Sequence, residues 1–281
     1  MSDDIIEIKP ELWGVKVNIR ALLRRLKGSQ KPDPVTIVAE RFLTLFAEHG
    51  IAPAQIQQFL PQLTLDKLNS VEALLRALTN PVLDEAAALF KVRREWLDGV
   101  DDQIYRCECC YKNPERFFEI LTGLTTDFAS FPVRVLYSGK RLDGSDQRVQ
   151  SLALVLVEKV RDFDRNEINR FVIFNDSWDW GHPPCRLQLK AIARLVNLSL
   201  RKGVPLYRVT ANVLESVREG RSIPRQHLQG CLITNPALED YGLSSRESRC
   251  ARECTELPAV LDYITNQKLE PIARQLSTKG D

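Results

Sequence analysis

Residues 83–99 read LDEAAALFKVRREWLDG. Leu83, Ala87 and Phe90 recur at four- and three-residue spacing, which lines up one face of a helix, and Val92 extends the same side. Trp96 and Leu97 open a second, short element that stops at Gly99. A helix that ends, turns through Arg93-Arg94-Glu95 and restarts must bury two apolar sets, so its neighbours decide what is built.

Upstream, Ile37, Val38, Phe42, Leu45 and Phe46 keep helical spacing from Val35 to a stop at Gly50. A shorter helix follows in IAPAQIQQFLP, with Pro53 near its first turn. LTLDKLNSVEALLRALT continues as helix, with a break expected near Asn69-Ser70, and Asn80-Pro81 reads as the cap and first position of the next helix. Residues 9–27 are expected to form a basic amphipathic helix carrying Lys16, Arg20, Arg24, Arg25 and Lys27, joined by the breaker-rich GSQKPDP.

Downstream of residues 100–112 the pattern changes. PERFFEILTGL reads as helix, then PVRVLYSG, RVQSLALVLVEKV and INRFVIFND read as strands, the last two joined as a hairpin through RDFDRNE. CRLQLKAIARLVNLSLRKG is a long helix with Arg186, Lys190, Arg194, Arg201 and Lys202; PLYRVTA is a fourth strand, and further helix closes the chain, interrupted at Pro271. The expected fold class is α+β: an N-terminal all-α domain (1–106), then an α+β domain (112–281) with a mostly antiparallel sheet and helices on one face. The second domain is PAS- or GAF-like by architectural analogy only.

The 281 residues, 44% hydrophobic and 27% charged with net charge +2, suit a globular chain and neither demand nor exclude nucleic acid. No apolar run approaches the ~18 residues of a membrane span. Seven cysteines behind an acidic N-terminus without a secretory pattern lead to an expectation of reduced thiols and a cytoplasmic protein.

In the helical half, LDEAAALFKVRREWLDG resembles the closing helices of Cro/repressor-type (Xre-like) helix-turn-helix domains, with Leu83, Ala87, Phe90, Val92, Trp96, Leu97 and Gly99 on the family's positions. HGIAPAQIQQFL resembles the end of that family's first helix and its second: Gly50 and Ile51 take the turn and Ile56 the apolar anchor. The resemblance spans roughly residues 35–99 and implies DNA binding. The chain departs from the family at Gln57, where Ala is usual, and at Pro61, where Gly is usual. The implied reading helix, TLDKLNS, offers Thr64, Lys67 and Asn69 to base edges, while Asp66 would repel phosphate. Phosphate contacts are expected from Arg20, Arg24, Arg25 and Lys27, with Lys16, Arg93 and Arg94 as further candidates.

NDSWDWGHPPC places Asp176, Trp178, Trp180 and His182 at a strand end beside Arg186, a candidate ligand site or simply an apolar edge sealed by tryptophan. RCECC (Cys107, Cys109, Cys110) lacks the two-residue spacing of structural zinc pairs; Cys250 and Cys254 would share a helix face, and Cys185 and Cys231 stand alone. Asp162, Asp164 and Asn166 begin like a calcium loop, but Glu167 and Ile173 stand where glycine and glutamate are required. No catalytic, metal-binding or cofactor signature is present; a Cys185–His227 pair has no supporting spacing. The expectation is a homodimeric regulator of double-stranded DNA that takes a small-molecule or protein effector. The alternatives are a protein-interaction adaptor on the same helical fold and a cysteine-based redox or metal sensor.

Overall fold

A computed structural model of the chain describes residues 34–124, 128–140, 142–146, 148–164, 166–228 and 256–280. Helix α1 spans Pro34–Glu48. It ends where Gly50 turns left-handed at φ 82°. There the Gly50 N–H reaches Ala47 O and the Ile51 N–H reaches Phe46 O, which satisfies two terminal carbonyls. IAPAQIQQFLP forms not an α-helix but a 3-10 turn, Pro53–Gln58. A second 3-10 turn, Leu65–Leu68, precedes α2, Val71–Ala77. The break expected at Asn69-Ser70 is there, and Ser70 caps α2 by accepting from the Ala73 N–H at 3.1 Å.

Helix α3 runs Asn80–Phe90, with Thr79 rather than Asn80 as its cap. Lys91 takes the left-handed position at φ 55°. The Val92 N–H then bonds Ala87 O, and Val92 pairs as an isolated bridge with Tyr105. Arg93 sets off the short α4, Arg94–Leu97. Phe42, Phe46, Phe90, Trp96 and Leu97 are buried together, so both apolar sets of LDEAAALFKVRREWLDG enter one core.

The sheet has five strands in the order β1-β4-β3-β2-β5. They are β1 Cys107–Glu108, β2 Phe128–Ser138, β3 Ser151–Phe163, β4 Asn166–Asp179 and β5 Leu206–Val209. The three long strands are antiparallel, and a short strand pairs in parallel at each edge. Helix α5 (Pro114–Gly123) follows β1, and α6 (Pro183–Leu200) carries the chain from β4 across to β5. After β5 come α7 (Ala211–Arg218), a 3-10 turn (Pro224–Leu228), α8 (Leu257–Asn266) and α9 (Glu270–Gly280).

Strand β3 shows how the layers are arranged. Leu152, Leu154 and Leu156 face a core shared with α5, α6, α8 and α9. Ala153, Val155 and Val157 face the helices of residues 34–97 together with α7. Helices therefore cover both faces, not the one face expected. A strand buried on both sides is apolar at consecutive positions, which is why SLALVLV does not alternate.

The buried carboxylate of Glu158 ties the layers. It takes a two-point ion pair from Arg170 on β4, at 2.7 and 2.8 Å, and a third contact from Lys91 at 2.6 Å. Nearby, the fully buried His49 ring lies 4.0 Å from Phe90 and 5.8 Å from Phe171 between ring centroids. Its Nδ1–H donates to Leu45 O, since a carbonyl only accepts, and Nε2 is enclosed with no partner among the described residues. No helix among the described residues is long and apolar enough to cross a membrane.

Candidate functional site

Three places hold the residues singled out by the sequence. The first is the surface from Thr64 to Ala77. Asp66, Lys67, Asn69, Ser70, Ala73 and Arg76 line an open groove there. The implied reading helix is one 3-10 turn followed by α2, so its polar side chains leave from a tight bend. Thr64 and Asn69 are exposed. Lys67 folds back to donate to Gln62 O at 2.8 Å. The Thr64 hydroxyl bonds Asp66 and holds its carboxyl below the usual range, so the groove keeps an anion beside Lys67.

Arg93 and Arg94 are committed elsewhere. Arg93 bonds Asp101 at 2.5 Å and Gln103 at 2.8 Å; Arg94 bonds Asp84 at 2.5 Å and Asp98 at 3.0 Å. Arg41 closes the same turn on Trp96 O, Asp101 O and Asp102. These guanidiniums hold α4 and the segment after it, which no local sequence pattern reveals. Lys16, Arg20, Arg24, Arg25 and Lys27 lie outside the described residues.

The second place is NDSWDWGHPPC. Strand β4 continues through Asp179, so Asp176 and Trp178 belong to the sheet. Trp178 and Trp180 are 1% and 2% exposed and pack in the core. Asp176 accepts from the Cys109 thiol at 2.7 Å, the Cys110 N–H at 2.9 Å and the Tyr111 N–H at 3.1 Å. His182 is exposed at the start of α6, whereas Arg186 is buried and pairs with Glu256. The five residues therefore do not converge on one pocket: Trp180 and Arg186 meet, through the Arg186 guanidinium on Trp180 O, while Trp178 packs in the core, Asp176 holds the segment after β1 and His182 is exposed.

The third place is the cysteines. Asp176 pushes the Cys109 thiol up, chiefly through their hydrogen bond. Burial pushes Cys107 and Cys110 up as well, and raises Cys185 to about 11. Metals and oxidants take the thiolate, and these surroundings disfavour it. Among the described residues no group of three or more His, Cys, Asp or Glu side chains is placed to hold a metal ion. Cys231, Cys250 and Cys254 lie outside them. Cys185 sits in the core on one face of the sheet, while His227 lies on the 3-10 turn whose Leu228 enters the other core. His227 Nε2 instead meets the Ser222 hydroxyl at 3.0 Å across a tight turn.

Asp176→Asn makes the Cys109 environment testable. At pH 8, Cys109 in the parent chain is expected to react with iodoacetamide more slowly than a free thiol. The variant, without the anion that resists thiolate formation, is expected to react several-fold faster. Equal rates by peptide mapping would show that Asp176 does not control this thiol.

Two features lie beyond the candidates that the sequence suggests. Glu158 has a signal, a carboxylate directly after the apolar run Leu152–Val157, where burial demands a partner. The pairing of Arg186 and Lys190 with Glu256 has none, since about seventy residues separate the partners. No protein-family model, curated protein or solved structure matches the chain.

Proposed function

We propose that the chain is a sequence-specific DNA-binding regulator that uses the exposed bend at Thr64–Ser70 to meet base edges. The observation carrying this reading is the open groove beside α2, lined by Lys67, Asn69 and Arg76, with Thr64 exposed just before it. Asn and Lys are side chains that pair with adenine and guanine edges, and Thr serves either polarity. In this reading Arg20, Arg24, Arg25 and Lys27 supply the phosphate contacts that dominate affinity. Residues 1–106 form the DNA-contacting part and residues 112–281 a PAS- or GAF-like sensor that takes an effector and builds a homodimer. Two half-sites compensate a weak single site. The thiols and the buried tryptophans have no part in it.

Alanine at Asn69 is expected to cost about 1–3 kcal/mol on the selected duplex and to relax preference at one base pair. Alanine at Arg20, Arg24, Arg25 and Lys27 together should weaken all duplexes alike and flatten the salt dependence by about one unit of slope for each phosphate no longer neutralised. Fluorescence anisotropy over a salt series reads both. Unchanged binding in both variants would remove these residues from the interface.

A second reading is favoured by one observation: Arg41, Arg93 and Arg94 are neutralised within the helical layer, and Asp66 stands in the groove. A surface with paired cations suits a protein partner better than a polyanion. An adaptor of this kind would show neither sequence preference nor a steep salt slope.

A further inference from the structure

We propose that Arg186 and Lys190 form a binding site for a small carboxylate anion, and that Glu256 is its built-in occupant. The two cationic side chains are 6% and 4% exposed, while the Glu256 carboxylate between them is 31% exposed. Arg186 offers Nε and one terminal nitrogen to Glu256 Oε1 at 3.0 and 2.7 Å, and Lys190 takes Oε2. The two oxygens of one carboxylate are thus divided between the guanidinium and the ammonium, with Arg186 Nε also 3.3 Å from Oε2, and such charge-assisted bonds favour a carboxylate.

The cations are fixed by the fold independently of Glu256. The other terminal nitrogen of Arg186 donates to Trp180 O at 2.7 Å, and Lys190 lies 5.3 Å from the centre of the Trp180 ring. The 142–146 loop closes over the guanidinium. A Cβ at Gly144 would sit 3.2 Å from Arg186 Nε, so glycine permits that approach. The buried Gln150 side chain holds the loop, accepting from the Asp143 N–H and donating to Asp143 O and Asp146 O. Glu256, by contrast, is the residue just before α8 and the most exposed of the three side chains. The cations are thus built into α6 and the strand–helix junction, and the anion is brought by a separate segment. A carboxylate from solution that takes its place would release the start of α8 from α6. Anion binding at this cluster is read by unfolding alone, without DNA.

The test is thermal unfolding of full-length Glu256→Ala in sodium acetate against sodium chloride of equal ionic strength. Acetate is expected to raise the melting temperature saturably and chloride is not. The parent chain should need an acetate concentration at least about tenfold higher for half its shift, because Glu256 competes. Adding Lys190→Met to the variant should abolish the acetate effect. If Glu256→Ala folds only in acetate, that supports the site. If it folds in neither salt, Glu256→Gln is measured the same way. Equal responses to acetate and chloride in the folded variant would overturn the proposal.

Discussion

Glu158→Ala is expected to lower stability by about 3 kcal/mol in urea unfolding at neutral pH, the lower end of what loss of one member of a buried ion pair costs. The carboxylate is 2% exposed and carries both Arg170 and Lys91. Arg170 is 21% and Lys91 38% exposed, so water reaches the cations left behind and keeps the loss from being larger. Lys91→Met should cost under about 1 kcal/mol, since Glu158 keeps its two-point pair with Arg170 and Lys91 is a partly exposed partner. The asymmetry is the test. Similar losses in the two variants would mean that Lys91, not Arg170, satisfies Glu158.

Acidification provides the second large effect. Burial, with Arg225 nearby, drives the His49 ring down to about 3. In the unfolded chain it titrates near the ordinary 6.5. The folded state holds the neutral ring, so this contribution is complete above about pH 6.5 and is lost as pH falls toward 3. The slope is about 1.4 kcal/mol per pH unit, and the total is roughly 5 kcal/mol at the lower limit. Arg225 is the charge that acts on the ring, and Arg225 itself interacts with Glu48. His49→Phe should fit between Phe90 and Phe171, remove the unsatisfied Nε2 and flatten the stability profile between pH 6.5 and 4. Parallel profiles for parent and variant would assign acid sensitivity to other groups.

Local chemistry is legible in the sequence and long-range pairing is not. Gly50 announces the end of α1 because a left-handed residue is needed there. Phe163 and Asn166 pair across the tight turn expected between β3 and β4. The run Leu152–Val157 marks a strand, and its lack of alternation reports burial on both faces, which the expectation of helices on one face passes over. Two-residue β1 carries too few residues for any periodicity, so RCECC reads as thiols rather than as an edge strand. Asp176 and Trp178 share one face of β4, yet Asp176 is taken up by the Cys109 thiol and the Cys110 and Tyr111 N–H groups, Trp178 packs in the core, and Arg186 is carried by α6 to Glu256. Arg93 and Arg94 look like free cations in the sequence for the same reason that Glu158 looks unexplained: their partners are chosen by the fold.

Sequence-specific DNA binding is tested most simply by a genomic selection. Full-length protein is mixed with sheared DNA from its own source at near-physiological salt, and the bound fragments are sequenced. One enriched palindromic motif is expected, its half-sites about one helical turn apart, with enrichment falling steeply as salt rises. Fragments recovered without a common motif, and with no dependence on Asn69, would contradict it and leave the helical layer as a surface for a protein partner.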